Sequence, residues 1–241
     1  MKCFISYSTV DRVIAGALHR QLAEHSIESF LAHETIEVST DWKERILTEL
    51  ANAEIMIILL SKDCRSSDWT GHEAGFFYAK SEHRGLIIPL SLDDTVSFGI
   101  FSHIQSQRIP TGARMVPLEL WLPPIVRANP SRLIPIVIDK LVTCVSCRTS
   151  EAYMRILRPH FSTIVQADLD KLMTAAATNP QIYSAYKCRT PLLPELVQAN
   201  SGRLLQEQVA LLQKKLDDDV SFTSRVVLIQ ETPPQADAQD E

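Results

Sequence analysis

No run of apolar residues in this chain approaches the ~18 needed to cross a bilayer as a helix, and the amino terminus turns polar after a few residues, Met-Lys-Cys-Phe-Ile-Ser-Tyr-Ser. No membrane is expected as a partner, and the chain reads as a cytoplasmic protein. Basic residues are outnumbered, 24 Lys and Arg against 29 Asp and Glu for a net charge of -5. No basic stretch interleaved with aromatics occurs, so no nucleic acid is expected either. Cysteine is sparse, and five in 241 residues do not make a disulfide framework. Cys144 and Cys147 are spaced as Cys-x-x-Cys, but no second pair or histidine doublet completes four ligands. Neither a metal nor a resident cofactor is expected.

What is present is enough chain for one large domain or two small ones. The first half alternates short apolar strands with amphipathic helices, the pattern of a parallel sheet covered on both faces. Residues 3–6 read as a first strand, followed by a helix capped by Ser8 or Thr9, with Asp11 in its first turn. Its apolar positions are Val10, Val13, Ile14, Ala17, Leu18 and Leu22. A second strand at 29–32 leads through a polar loop, 34–40, to Asp41-Trp-Lys-Glu44, a capping-box spacing that opens a helix with Trp42, Ile46, Leu50 and Ala53 inward. Ile55 to Leu60 form an uninterrupted apolar strand. A fourth strand, 86–92, contains Pro89, which points to an edge or a bulge. Residues 107–109 read as a short fifth strand, 115–126 fit no element, and Pro130 opens a helix whose apolar positions are Leu133, Ile134, Val137, Ile138 and Leu141.

Beyond Ser150 the pattern is helical, with segments at 153–157, 161–177, 181–186, 192–199 and 204–216. In the last of these Leu205, Val209, Leu212 and Leu216 form a seam for another helix, read as packing within the chain. Residues 226–229 read as a further strand, and 232–241 as a disordered acidic tail. The expected division is a domain at 1–147, a smaller α-helical region at 148–218, and a mostly disordered tail at 219–241.

One acid stands out. Trp69, Glu73, Phe76 and Phe77 fall three and four apart on a helix that begins just beyond the third strand. A carboxylate on an apolar stripe is solvated, paired or used, and ligands of open α/β sheets bind beyond the carboxyl ends of the strands. His72, about 100° round the helix from Glu73, is expected to face solvent.

Four features, in order over residues 1–145, make this region resemble the Toll/interleukin-1 receptor (TIR) domain family. They are Cys-Phe-Ile-Ser-Tyr-Ser with Asp11, the loop up to Trp42, the strand from Ile55 to Ser61, and Ser67-x-Trp69-x-x-x-Glu73; a Pro-containing fourth strand followed by Asp93-Asp94 also fits. The resemblance implies an α/β, flavodoxin-like fold with a five-stranded parallel sheet. It implies either a scaffold that acts by TIR–TIR assembly or an enzyme that cleaves NAD between nicotinamide and ribose. Glu73 favours the enzyme. By the same resemblance Glu73 is catalytic, Trp69 stacks on a ring or walls off water, and Ser8, Thr9 and Glu37 contact the dinucleotide. NAD is then substrate, not cofactor. The implied products are nicotinamide with ADP-ribose or a cyclic ADP-ribose signal. The implied setting is bacterial, antiphage immunity, with activation by self-assembly and either an upstream sensor or a downstream effector as partner. The loop departs from the family in having Val38-Ser39-Thr40 where glycine is common, which restricts its backbone. Two other readings stay open: the non-enzymatic scaffold, with residues 34–40 as contact surface, and an enzyme like a nucleoside deoxyribosyltransferase with a glutamate nucleophile. A phosphoacceptor receiver is disfavoured, because Ser6-Tyr7-Ser8 stands where its acidic pair belongs.

Overall fold

The computed structural model describes residues 1–32, 42–82 and 85–230. The loop at 34–40 with Glu37, the cap at Asp41, the Trp42 side chain and the tail at 232–241 lie outside what is described. The chain divides into two compact units, Met1–Ile136 and Val137–Glu241.

The first unit is an α/β fold built on five strands, β1 (Lys2–Ser6), β2 (Glu28–Leu31), β3 (Ile55–Leu60), β4 (Leu86–Ser91) and β5 (Gln107–Arg108). They pair in the order β2-β1-β3-β4-β5, with every neighbouring pair parallel. This is the flavodoxin-like order, whose direction of winding reverses beside β1 and opens a crevice between β1 and β3 at their carboxyl ends. All six residues of β3 are buried, as a central parallel strand with both faces covered requires. Pro89 does not bulge the sheet, because the β3–β4 register runs without a break from Ile55↔Leu86 to Leu60↔Ser91. β5 pairs only with Leu90 and Ser91. Pro89 therefore lies where β4 has a partner on one side, which accommodates a residue with no N–H to donate.

The helices α1 (Arg12–Glu24), α2 (Trp42–Asn52), α3 (Lys62–Ser66), α4 (Asp68–Lys80) and α5 (Leu118–Ala128) complete this unit up to the start of α6 (Pro130–Val142). Ile46, Leu50 and Ala53 are buried as their spacing predicts. Two positions expected inward on the first helix are not. Val10 and Val13 are 71% and 76% exposed, because Thr9–Asp11 form a 3-10 turn and Asp11, not Ser8 or Thr9, stands at the α-helical start. Further along the helix Ala17, Leu18 and Leu22 are buried as expected, joined by Ala15 and Gln21. Gln21 exchanges two hydrogen bonds with the Val116 backbone, at 2.8 and 3.1 Å. Residues 115–126, which fit no element in sequence, turn into α5 at Leu118, with Pro123 and Pro124 inside it. In α6 the five positions Leu133, Ile134, Val137, Ile138 and Leu141 are all buried.

The second unit is helical: α7 (Cys147–Leu157), α8 (Gln166–Thr178), α9 (Pro180–Tyr183), α10 (Leu193–Ala199) and α11 (Gln206–Gln230). The expected helix at 161–177 is two pieces, a 3-10 stretch over Arg158–Thr163 and then α8, parted by extended backbone at Val165. Residues 226–229, read as a strand, are helical within α11. Of the leucine seam, Leu212 is buried and Leu205 is 57% exposed. Among the described residues no helix is long and apolar enough to cross a membrane.

Candidate active site

The carboxyl ends of β1 and β3 both terminate in serine. Ser6 closes β1, and Ser61 follows the last residue of β3. After an apolar strand a hydroxyl can satisfy the backbone of whatever comes next. Ser61 does so, accepting from the Cys64 N–H at 3.1 Å as the N-cap of α3. Its own proton goes to Asp11 Oδ2 at 2.6 Å.

Ser6 does something else. Its hydroxyl donates to Glu73 Oε2 at 2.5 Å, and both side chains are buried, Glu73 with 3% exposure. Glu73 arrives there because α4 turns its 69, 73, 77 line inward: Glu73, Ala74 and Phe77 are buried, with Thr70 a turn earlier. Phe76, placed on the same stripe by sequence, is 37% exposed, since a step of three residues falls about 60° short of a full turn. α4 is anchored at its far end by Lys80, whose ammonium donates to the carbonyls of Ala51, at 3.0 Å, and Ala53. At its near end the Cys64 thiol reaches Thr70 Oγ1 at 3.6 Å.

Burial pushes the Glu73 carboxyl up from its ordinary 4.5 to about 7. The Ser6 hydroxyl and the Trp69 indole, one turn earlier, pull in the opposite direction. A place near the helix start favours the ionised form of an acid, but removal from water outweighs the helix dipole in the second turn. Oε1 is buried with no donor in hydrogen-bond geometry among the described residues, although the nearby indole favours the charged form. Asp11 is also pushed up, chiefly by burial and against the Ser61 hydrogen bond. Burial likewise raises Cys64, on which the charges of Asp11 and Glu73 both act.

The loop after β4 borders the same end of the sheet. Lys62 N–H donates to Asp93 Oδ2 at 3.0 Å and Thr95 N–H to Oδ1 at 2.7 Å; the Thr95 side chain first, and these two N–H groups after it, lower the ionisation point of Asp93. The Ser91 hydroxyl lies 2.5 and 2.8 Å from the carbonyls of Asp93 and Thr95.

Of the site residues named from sequence, Trp69 and Glu73 come together. Trp69 is half-buried, packed against the apolar cluster of Phe4, Met56, Ile58 and Phe77, with the His72 ring 6.3 Å away edge-on. His72 itself is exposed. Ser8 and Thr9 leave β1 at the same end, half-buried and exposed, but the polar side chains that hold Glu73 are Ser6 and Trp69. Glu37 is outside the described residues. Sequence reasoning passed over Ser6 and the Asp11–Ser61 pair. The available signal was a hydroxyl ending each of two apolar strands that flank a crevice. Among the described residues no group of three His, Cys, Asp or Glu side chains is arranged to hold a metal.

Residues 3–113 match the model of a family described as the TIR domain. Among solved structures the chain is similar to one described as the activated Roq1 resistosome directly recognizing the pathogen effector XopQ (TIR domains), 14% identical, with a TM-score of 0.35, over 64% of this chain and 82% of that chain. No curated protein matches the chain. The segment that carries all five strands, Ser6, Asp11, Ser61, Trp69 and Glu73 is thus similar to TIR domains.

Proposed function

We propose that the first unit cleaves NAD between nicotinamide and ribose, with Glu73 as the catalytic residue. The observation that carries this reading is a buried glutamate at the carboxyl end of the sheet, with one oxygen bound to Ser6 and the other without a donor in hydrogen-bond geometry among the described residues. A carboxyl group in that setting is costly to ionise alone. A cationic ligand reverses the cost, because a positive charge nearby favours the carboxylate. The nicotinamide end of NAD is such a cation.

The chemistry explains why one carboxylate suffices where glycosidases commonly use two. Nicotinamide leaves as a neutral molecule without being protonated, so no general acid is required. What remains is to hold the ribose and to stabilise the oxocarbenium-like charge as the bond breaks. An ionised Glu73 does so by Coulomb attraction, and its Oε1 accepts a hydrogen bond from a ribose hydroxyl. Trp69 supplies an apolar wall beside it. Ser8 and Thr9, in the loop that leaves β1, and Glu37 are the proposed dinucleotide contacts.

Capture of the ribosyl cation by water gives ADP-ribose; capture by an internal nucleophile gives a cyclic ADP-ribose. The wider reading is a bacterial immune enzyme, activated by TIR self-assembly and coupled to a sensor or effector, and it rests on the TIR resemblance. The proposed division of the chain is a TIR domain at 1–147, a helical region at 148–218 and a tail at 219–241.

The test is incubation of the purified chain with NAD, dilute and under crowding, with nicotinamide and its co-product followed by chromatography and mass. Release abolished in a folded Glu73→Ala variant supports the enzyme. No release under any condition, together with biological activity that survives Glu73→Ala but not substitution within 34–40, would establish the scaffold. Turnover of deoxynucleosides in place of NAD would establish the transferase.

A further inference from the structure

β1 is buried along both faces from Cys3 onward. An apolar side chain at position 6 would meet the same demand for burial. A hydroxyl there must find an acceptor, and Ser6 finds Glu73, 67 positions away. One hydroxyl proton serves one carboxylate oxygen, so the bond distinguishes Oε2, which Ser6 holds, from Oε1, which has no donor in hydrogen-bond geometry among the described residues.

We propose that Ser6 is the positioning residue for Glu73: its hydroxyl locks Oε2 to the end of β1, sets the point at which the carboxyl ionises, and leaves Oε1 for the substrate. The kinetic part rests on the reading of this site as an NAD-cleaving one; the ionisation part does not.

The surroundings of Glu73 leave Ser6 with this task. The elements packed around α4 bring apolar side chains toward its inner face, Ile46 and Leu50 from α2 and Phe101 from the 3-10 turn at Gly99–Phe101. Among the described residues the Cys64 thiol of α3 senses the Glu73 charge, and burial keeps that thiol neutral. Asp11 acts on the same thiol from the loop after β1. On α4 itself His72 is exposed. Of the two donors that favour the carboxylate, Ser6 contributes more than Trp69. Without Ser6, the Trp69 indole remains as the weaker of the two donors, and the neutral form would gain.

The measurement is the titration of Glu73 in the full chain, read from the side-chain carboxyl resonance of 13C-labelled glutamate and assigned by its loss in Glu73→Gln. Ser6→Ala is expected to move the midpoint up by about one pH unit, the scale of a hydrogen bond to a charged group. Ser6→Cys keeps the volume and donates weakly, so it moves the midpoint the same way by less, and it carries the test alone if Ser6→Ala does not fold. With NAD as substrate, Ser6→Ala is expected to lower kcat by about tenfold with KM changed less than about twofold, and to shift the pH profile upward with the titration. A midpoint unmoved in the folded variants overturns the proposal. A midpoint that moves in a chain with no NAD turnover overturns the functional reading and leaves the Ser6–Glu73 linkage standing.

Discussion

Ser61 and Asp11, 50 positions apart in sequence, are joined by a 2.6 Å hydrogen bond that fastens the loop after β1 to the end of β3. The same Ser61 oxygen caps α3. One hydroxyl therefore holds two segments that border the crevice, one as donor and one as acceptor.

Ser61→Ala removes both bonds at once. The expected loss of stability is about 1–2 kcal/mol, the scale of a lost N-cap with a carboxylate that must rehydrate. Denaturant unfolding monitored by circular dichroism checks it. An unchanged midpoint would show that the cap and the Asp11 bond do not contribute to the native state.

Burying Glu73 has a consequence for stability that runs opposite to the usual case for an acid. Its carboxyl ionises at about 7 folded, against 4.5 ordinarily, so between those values the native state holds more protons than the unfolded chain. Stability then falls as pH rises through that window, by about 3 kcal/mol in total, and is flat on either side. Glu73→Gln lacks this slope. The variant is expected to be more stable than the parent at pH 8, with the difference vanishing toward pH 4.5; thermal melts at matched ionic strength across that range decide it.

The same ionisation sets the direction of the activity profile. The carboxylate is the working form, so kcat/KM for NAD is expected to rise with pH through about 7 and to level off above it, since this ratio reports the free enzyme. A profile that falls through neutrality would mean that the protonated acid does the chemistry.

Trp69→Phe keeps an aromatic wall but removes the indole N–H that favours the Glu73 carboxylate. A smaller upward shift of the Glu73 midpoint than for Ser6→Ala is expected, with the fold retained. The glutamate resonance reads this shift as well.

In the second unit Leu212 is 2% exposed and Leu205 57%, although the two share one seam in the sequence. Leu212→Ala is expected to cost about 2–4 kcal/mol, and Leu205→Ala less than about 0.5 kcal/mol. Comparable costs at both positions, measured by unfolding of the full chain, would show that Leu205 is covered in solution.

How much was legible from sequence follows from the range of the forces involved. β3 could be read directly, because six consecutive apolar residues bounded by Glu54 and Ser61 have one economical fate, a strand covered on both faces. The inward positions of α2 and α6 followed from spacing, since a helix of known start presents a determinate face. Val10 and Val13 were misplaced for the converse reason: a 3-10 turn precedes the helix and its first positions stay exposed, while Ala17, Leu18 and Leu22 further along are buried as their spacing predicts. Pro123 and Pro124 hid α5, because proline costs a helix a hydrogen bond that local pattern has no way to restore; Leu122 and Ile125, fully buried on either side, show that packing retains it.

The chain by itself determined that an acid stands on an apolar helix stripe just after a buried strand, and from that came Glu73, Trp69 and the carboxyl edge of the sheet as the place to look. Only the tertiary structure decided what the acid meets there. Ser6 lies 67 positions away, and the strand order β2-β1-β3 brings it to Glu73. The raised ionisation point of Glu73 likewise depends on how completely α2, α4 and the sheet exclude water. Burial and hydrogen bonding are properties of neighbours distant in sequence, so no local pattern encodes them.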